Sequence, residues 1–370
     1  AAYLSLRQPQ LLRREVALWG PPTAAVRASS GSVVEVMAER AQVLGFTVDG
    51  TGGSFDRLDG AVKVTANHTN VEGLRIINAV FGVLVEKSHF VTVIGNRIEG
   101  SRDEAIGLRG DTMRVWETTN SVIANNQILD GRDCVIWYSK TNSITGNRIF
   151  RGRYGLHFMY SHDNLVEHNE LVDGVVGVFV MYSRGLRIAE NLIANASGSA
   201  GMAVGLKDSG NIDLWRNRLI HNTLGVYLDA SPMQYGDHVA ITSNVMRLND
   251  TAIVFHASPK NVNITGNDLA DNQAQVRVDG GGDATGAVWF GNYYDDYAGY
   301  DFDDDRVGDV AYELRSLSGD LTSRHETLAL FRGTPALALV DAVSHLDPLY
   351  APKPVLTDLA PMMHPHVDPS

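Results

Sequence analysis

The sequence has a single cysteine, Cys134, among its 370 residues. One cysteine cannot form an internal disulfide, and it excludes a Cys-x-x-Cys metal site. No apolar run approaches the length that a membrane-spanning helix needs. Basic residues are also few, since 31 Lys and Arg stand against 43 Asp and Glu for a net charge of −12. This balance argues against nucleic acid as the main partner, because binding to phosphates needs a basic surface.

An asparagine returns at intervals of 21 to 30 residues within an apolar-x-polar-Asn-x-apolar frame. A period in this range indicates a solenoid. We expect the asparagines to stack inside one turn of successive coils, where each amide bonds to backbone and to the next asparagine, a structural role. They are Asn96, Asn126, Asn147, Asn169, Asn191, Asn217, Asn244, Asn267 and Asn292.

Most coils also contain a short strand about ten residues after the asparagine, with apolar residues at every second position. Leucine-rich and helical repeats would show other spacings, and neither is present. The sequence therefore predicts an all-β protein, a right-handed parallel β-helix with a short C-terminal helical extension. We expect one inward column of Val83, Ile106, Leu156, Val178, Val226 and Ile253, and a second of Val85, Leu108, Phe158, Val180, Leu228 and Phe255. The outward column reads Glu86, Arg109, Met159, Met181, Lys207, Asp229 and His256.

Three segments follow from this pattern. The parallel β-helix covers residues 1–292, an aromatic and acidic connecting segment covers 293–317, and a C-terminal extension covers 318–370. The extension contains two candidate amphipathic helices, at 321–331 and 335–346, and a Pro-rich tail for which disorder is the default. The first residues already read as a coil in progress, so we expect a natural start before Ala1, and the absence of a visible signal peptide says little.

An acidic loop at 301–309 places carboxylates at its positions 1, 3, 5 and 9, the order in which calcium loops supply oxygen ligands. These are Asp301, Asp303, Asp305 and Asp309. The loop departs from the full pattern, because Arg306 stands where glycine makes the turn and Tyr312 where a glutamate closes the sphere. It is either a calcium site or a solvated acidic turn packed under neighbouring tyrosines.

Two neighbouring coils align with a methionine at the end of each strand. Alternation points Leu156 and Phe158 inward, and hence His157 and Met159 outward, with Met181 one coil away. Two thioethers and an imidazole are soft ligands that favour cuprous copper. His162 is a further candidate ligand. A methionine surface for contact with another protein is the alternative. Other candidates for copper are Met202, Met233, Met246 and the run from Met362 to His366.

Catalytic chemistry on polysaccharides needs paired carboxylates or a base beside cationic groups. The outward column brings no acidic pair together on adjacent coils, and an Asp-Pro-His-Asp run is absent. We therefore do not expect an enzyme. A polysaccharide-binding or uronate-modifying β-helix of the lyase or epimerase kind is the alternative, with Lys207, Asp208, Asp229 and His256 as its candidate residues.

Three stretches together resemble the NosD family of nitrous oxide reductase maturation proteins. They are the doublet 154–161 and 178–183, each ending in Met-Tyr-Ser, the aromatic and acidic stretch 291–301, and the stretch 331–339. The resemblance extends over essentially the whole chain. It implies a periplasmic, non-catalytic component of denitrification that works with an ABC transporter and is peripheral to the membrane through that partner.

The same resemblance implies that a lipoprotein copper chaperone delivers cuprous copper to this protein, and that nitrous oxide reductase docks on it during copper loading. It also suggests that the C-terminal helices dock on the membrane subunit of the transporter. Capping of the open end of the solenoid is the alternative role. The apolar residues of these helices are Leu328, Phe331, Leu337, Val340, Val343 and Leu346.

Overall fold

The protein folds as a parallel β-solenoid of about 13 turns with three faces, followed by a few short helices near its C-terminus. The structure is a computed structural model that describes residues 2–101, 105–331, 334–346 and 352–367. The predicted fold class, an all-β parallel β-helix with a short helical extension, is confirmed. The chain forms two compact units, with the boundary between Ile193 and Ala194.

In the first unit, each turn contributes one short strand to each face. The strands of the first face are Ala2–Leu6, Ala24–Ala28, Thr47–Asp49, Arg75–Ala79, Arg97–Gly100, Gln127–Leu129, Arg148–Phe150, Glu170–Val172 and Leu192–Ala194. Those of the second face are Gln10–Leu12, Val34–Val36, Gly60–Val64, Phe81–Glu86, Met113–Trp116, Asp133–Trp137, Tyr154–Met159 and Val176–Met181. Those of the third face are Ala17–Trp19, Gln42–Leu44, Asn70–Glu72, Thr92–Ile94, Val122–Ala124, Ser143–Thr145, Leu165–Glu167 and Arg187–Ala189.

The second unit is also three-faced and has fewer turns. Its first-face strands are Arg218–Ile220, Val245–Arg247, Asp268–Ala270 and Tyr293–Tyr294. Its second-face strands are Met202–Lys207, Leu224–Asp229, Thr251–Phe255 and Ala274–Val278. Its third-face strands are Ile212–Trp215, Val239–Thr242, Val262–Thr265 and Val288–Phe290.

The interior of the first unit consists of apolar columns that run from strand to strand. On the second face, the register joins Val85, Val115, Ile136, Phe158 and Val180 in order. All five side chains are buried. Because strand residues alternate between the two sides of a sheet, this register determines which side chains form the outer surface of the same face.

The prediction of a strand over 106–109 is wrong. Ile106–Leu108 is a short 3-10 helix, and the Leu108 side chain is 67% exposed. The strand that pairs with Phe81–Glu86 is Met113–Trp116 instead. Both segments contain alternating apolar residues, so the local pattern cannot distinguish them. Between them, Gly110 passes so close to the previous coil that a Cβ there would lie 1.9 Å from the Val80 carbonyl oxygen.

This correction changes the outward column of the second face. Arg109 does not belong to it, and Trp116 and Trp137 stand between Glu86 and Met159. The predicted inward residues Ile106 and Leu108 are replaced by Met113 and Val115.

The asparagines form the predicted structural ladder. In the first unit, Asn147 donates from its backbone N–H and from Nδ2 to Oδ1 of Asn169, at 2.9 and 3.0 Å. Asn169 makes the same pair of bonds to Asn191. In the second unit the bonds run from Asn217 to Asn244 and onward to Asn292. All these side chains are buried, so the ladder satisfies polar groups that would otherwise be unpaired inside the turns.

The C-terminal segment contains an α-helix at Leu317–Arg324, a 3-10 helix at Glu326–Phe331 and an α-helix at Pro335–Leu346. The last has the bounds that the sequence predicts. The first, predicted at 321–331, begins four residues earlier because the Ser316 side chain accepts a hydrogen bond from the Gly319 N–H and caps the helix there. It ends at Arg324, and most of the predicted range is the 3-10 helix instead. Among the described residues, no helix is both long and apolar enough to cross a membrane.

Residues 352–367 of the Pro-rich tail are ordered, contrary to the expectation of disorder. Its strand Pro354–Asp358 pairs antiparallel with Tyr312–Arg315. Beyond it, the Met362 N–H donates to the Asn292 carbonyl oxygen at 2.9 Å. Proline is tolerated here because each strand of a two-stranded sheet has a free edge.

Candidate metal centre

Three consecutive coils on the second face end in a residue followed by Tyr-Ser. They are Trp137-Tyr138-Ser139, Met159-Tyr160-Ser161 and Met181-Tyr182-Ser183. The serines are fully buried, and the hydroxyls of Ser161 and Ser183 accept hydrogen bonds from the N–H of the serine one coil before, at 3.1 and 2.9 Å. The tyrosines have φ near +50°, and their rings stack at 5.3 and 4.9 Å. These two ladders fix the register of the residue that precedes each tyrosine.

Met159 and Met181 occupy equivalent positions on adjacent strands, as the sequence predicts. Adjacent strands lie about 4.8 Å apart. Both side chains are half-buried, so they are packed on the face yet accessible from outside. Trp137 is the partner of Met159 on the other side, which places Met159 between an indole and a second thioether.

His157 lies two residues before Met159 on the same strand and alternates with the inward Leu156 and Phe158. It is only 8% exposed, because aromatic rings cover it on the outer side of the sheet. Its ring lies 4.8 Å from that of Tyr154, 5.7 Å from that of Trp137 and 5.8 Å from that of Phe179, measured between centroids.

Neither ring nitrogen of His157 has a hydrogen-bond partner, although both are buried. Buried polar atoms are nearly always paired, so the two unpaired nitrogens make His157 a candidate ligand. Burial lowers the pKa of His157 from 6.5 to about 4, with nearby Arg153 acting in the same direction and Asp133 opposing. The imidazole is therefore neutral at pH 7, which is the form that binds metals.

A buried carboxylate on the neighbouring strand supports this arrangement. Asp133 is 3% exposed and accepts hydrogen bonds from Arg153, and its Oδ1 also accepts the backbone N–H of Tyr154 at 3.2 Å. The Arg153 guanidinium lies 4.8 Å from the centroid of the Tyr154 ring. These contacts hold the start of the strand and keep the Tyr154 ring against His157.

His162 occupies a different position from the other predicted copper ligands. It follows the buried Ser161, beyond the turn that ends the strand, and is half-buried. Its Nδ1 accepts a hydrogen bond from the Arg184 N–H at 3.1 Å. Only Nε2 of this imidazole is available to a metal while that bond is made.

The single thiol is not a candidate ligand. Cys134 points into the solenoid and is 1% exposed. Burial raises its pKa to about 12, and the thiolate is the form that binds metals.

The acidic loop lies in the second unit. One oxygen from each of Asp301, Asp303 and Asp309 lies within 4.8 Å of the others. Asp305 is outside this group, and its Oδ1 accepts a hydrogen bond from the Val307 N–H. Arg306 has φ of +74°, the conformation for which glycine is favoured at this position of a calcium loop.

The carboxylates of this loop are partly engaged by backbone. Asp301 accepts N–H bonds from Asp304, Asp305 and Arg306, and Asp309 accepts one from Phe302. Slight desolvation acts to raise the pKa of Asp301, but these bonds lower it overall. The negative charges of Asp305, Asp309 and Asp301, with slight desolvation, raise the pKa of Asp303.

The remaining methionine and histidine candidates are dispersed. Met246 is fully buried, Met202 is half-buried, and Met233 is 58% exposed in its loop. His366 at the end of the terminal run bonds through Nε2 to the Gly291 carbonyl oxygen at 2.8 Å.

Sequence reasoning missed Trp137 and Tyr154 as parts of the centre. A signal for Trp137 exists, since the Tyr-Ser dipeptide that follows Met159 and Met181 also follows Trp137. No comparable signal marks Tyr154, because its contact with His157 depends on how the strand start is held.

Comparison with known proteins places these features in a family. Residues 101–299, just over half of the chain, match the model of a family described as periplasmic copper-binding protein (NosD). The chain is 25% identical to a "Probable ABC transporter binding protein NosD" of Stutzerimonas stutzeri, over 97% of this chain and 84% of that protein. It is 32% identical to a protein of the same description from Pseudomonas aeruginosa, over 31% of this chain. That second match spans about a quarter of the Pseudomonas protein, 27% of its length.

Among solved structures, the A-module of the Azotobacter vinelandii mannuronan C-5 epimerase AlgE6 is similar, with a TM-score of 0.59 and 13% identity. The likeness covers 77% of this chain and 87% of that module. At such low identity it concerns the solenoid fold and carries no inference about activity. The family match, by contrast, covers more than half of the chain and includes all residues of the candidate metal centre, so the chain belongs to the NosD family of periplasmic copper-binding proteins.

Proposed function

We propose that this protein is a periplasmic scaffold that carries cuprous copper for the maturation of nitrous oxide reductase. In this proposal it receives the ion from a lipoprotein chaperone, works with an ABC transporter and catalyses no reaction itself. The family description and the names of the relatives support the copper and transporter parts. The reductase and chaperone parts of the proposal rest on the resemblance of the sequence to the family.

The observation that carries the copper proposal is the soft ligand set on the second face. Met159 and Met181 are in register, and His157 presents a neutral imidazole whose nitrogens are both unpaired. Thioethers and imidazole select cuprous copper over calcium or magnesium. His162 remains a proposed auxiliary ligand through Nε2.

Partial exposure of the two methionines suits a carrier. A site that accepts an ion from one protein and passes it to another needs access from outside, whereas a storage site is enclosed. We therefore propose that the chaperone and the reductase both approach the second face of the first unit.

For the transporter contact, we propose the C-terminal helices. Phe331 and Val343 of the predicted docking set are exposed, at 52% and 53%, while Leu328, Leu337 and Val340 are half-buried. The side chain of Leu346 lies outside the described residues. Leu330 and Leu339, at 86% and 64% exposed, add to the apolar surface. Apolar side chains at this level of exposure are typical of protein contacts.

The aromatic residues of the outer face give the polysaccharide alternative little support. Sugars stack on ring faces, but Tyr138 stacks on Tyr160, and Phe179 stacks on Tyr154 at 5.7 Å with 7° between the rings. A neighbouring ring thus already covers one face of each. Binding of uronate oligomers to the purified protein would restore this alternative.

A double substitution tests the copper proposal. Met159→Leu with Met181→Leu keeps the side-chain volume nearly constant and removes both sulfurs. We expect copper loading of the reductase in cells to fall while the solenoid stays folded. The matched control is Met37→Leu, which changes an exposed methionine that is not a copper candidate. Normal copper loading of the reductase by the Met159→Leu, Met181→Leu variant would show that this site does not carry the copper.

A further inference from the structure

We infer that Trp137 is a fourth contact of the copper centre, and that the face of its indole covers the cuprous ion held by Met159, Met181 and His157. This inference rests on the proposed copper function and adds a specificity-determining residue to it. The ligand class is a soft monovalent cation.

The register of the second face places the indole beside the ligands. Trp137 pairs with Met159, and Met159 pairs with Met181, so the three residues follow one another on adjacent strands. Each step between strands is about 4.8 Å. Within the first unit, Met159 thus has one soft side chain on each side.

The same indole contacts the imidazole. The rings of Trp137 and His157 lie 5.7 Å apart with 89° between their planes. Trp137 therefore adjoins two of the three proposed ligands, one across the strand and one through its ring.

No hydrogen bond accounts for the placement of the Trp137 indole on this face. Its Nε1 is buried without a partner. A buried tryptophan usually pairs this N–H. Since leaving it unpaired is unfavourable, a role for the aromatic face accounts better for the residue than a role for its nitrogen.

Electrostatics give that face a function. Two thioethers and a neutral imidazole carry no charge, so they leave the charge of the ion uncompensated. The face of tryptophan attracts cations, and the attraction grows when water is excluded. The Trp137 ring already lies near one cation in the structure, since the Arg114 guanidinium carbon is 5.4 Å from its centroid.

Arg114 does not take the place of the ion. It belongs to the strand Met113–Trp116, on the opposite side of the Trp137 strand from Met159. It lies closer to Trp116, at 4.6 Å, and its charge is compensated by the buried Asp111 carboxylate at 3.9 Å.

The experiment uses the full chain with silver(I), a redox-inert monovalent probe, and repeats the key points with cuprous copper under anaerobic conditions. Affinity is measured by competition with a chelator, and tryptophan fluorescence is recorded in the same titration. The variants are Trp137→Leu, Trp137→Phe and the Met159→Leu, Met181→Leu pair. Trp116→Phe is the matched control, because it is the neighbouring tryptophan in the same column but does not adjoin Met159.

We expect wild type and Trp116→Phe to bind silver with the same affinity and a change in fluorescence. Trp137→Phe should lose most of that change and keep most of the affinity, because a phenyl ring still offers a weaker aromatic face. Trp137→Leu should bind about 10-fold more weakly, the scale of a partly desolvated cation–π contact. Circular dichroism checks that each variant is folded.

Two results separate the failure of the inference from that of the proposed function. If the Met159→Leu, Met181→Leu variant does not bind the ion while Trp137→Leu binds it as tightly as wild type, the indole is not a contact and the copper function stands. If that double variant binds silver and copper as wild type does, the proposed site is wrong and the inference about Trp137 is wrong with it.

Discussion

Asp358 ends the asparagine ladder of the second unit by accepting two hydrogen bonds from Asn292. Its Oδ2 lies 3.2 Å from the Asn292 backbone nitrogen and 2.8 Å from Nδ2. Asn292 in turn accepts the same pair of bonds from Asn267 through its own Oδ1, at 3.0 and 2.9 Å. A carboxylate 66 residues further along the chain thus occupies the place of the next asparagine, and the returning tail completes the last turn.

This relationship predicts the effect of Asp358→Ala. The substitution would leave two buried donors of Asn292 without a partner, and each such loss costs about 1 to 3 kcal/mol. We expect the second unit to lose about 3 kcal/mol of stability. Hydrogen exchange at the strand Tyr293–Tyr294 measures it directly.

Asp358→Asn is the matched control, since an amide oxygen is the acceptor at all the remaining rungs of the ladder. This variant should lose far less protection from hydrogen exchange than Asp358→Ala. Equal protection in wild type and Asp358→Ala would show that the tail does not stabilise the last turn.

A second prediction concerns pH and His157. The folded pKa is about 4, against 6.5 for the free side chain. Between these values the unfolded chain binds a proton that the folded chain does not, so stability falls as pH drops from about 6.5 to 4. The shift corresponds to a loss of about 3 kcal/mol across that window.

Urea unfolding at several pH values measures this dependence. His157→Phe should flatten it in that window, because phenylalanine does not titrate. Replacing the exposed His364 by Asn should leave the profile as in wild type. Parallel profiles for wild type and His157→Phe would contradict the prediction.

A third prediction concerns calcium at the acidic loop. Three carboxylates approach one another, but Tyr312, at the closing position, has its hydroxyl bonded to Asp296 at 3.0 and 3.1 Å. Without a closing carboxylate we expect binding no tighter than about 0.1 mM, in the range of weak extracellular sites. Isothermal titration of the chelator-treated protein measures the affinity.

Asp303→Asn should remove any calcium heat, because Asp303 belongs to the group of three. Asp305→Asn, outside that group, is the control and should change it little. A submicromolar dissociation constant would mean that other ligands close the sphere.

A fourth prediction concerns transporter docking. Phe331→Ser with Val343→Ser should weaken co-purification with the membrane subunit, because both exposed side chains lie on the proposed contact. Leu359→Ser, at a 75% exposed residue outside the helices, is the control. Substitution is a better test than truncation, since removing the tail would also remove Asp358. Undiminished co-purification of the double variant would place the contact elsewhere.

The repeated asparagines made the solenoid predictable from sequence, because each one needs the same buried position in every turn. The same holds for the pairing of Met159 with Met181, which the shared Tyr-Ser dipeptide indicates. Local alternation failed at Leu108, where two segments had the same pattern. Only the pairing with Phe81–Glu86 selected Met113–Trp116.

The sequence by itself determined the period of the coils and the column in which the methionines stand, since both depend on residues at a fixed spacing. Tertiary structure decided that rings of Tyr154, Trp137 and Phe179 enclose His157. It also decided that Asp358 closes the ladder. Such contacts join residues at irregular separations, and packing between turns, which no local pattern encodes, brings them together.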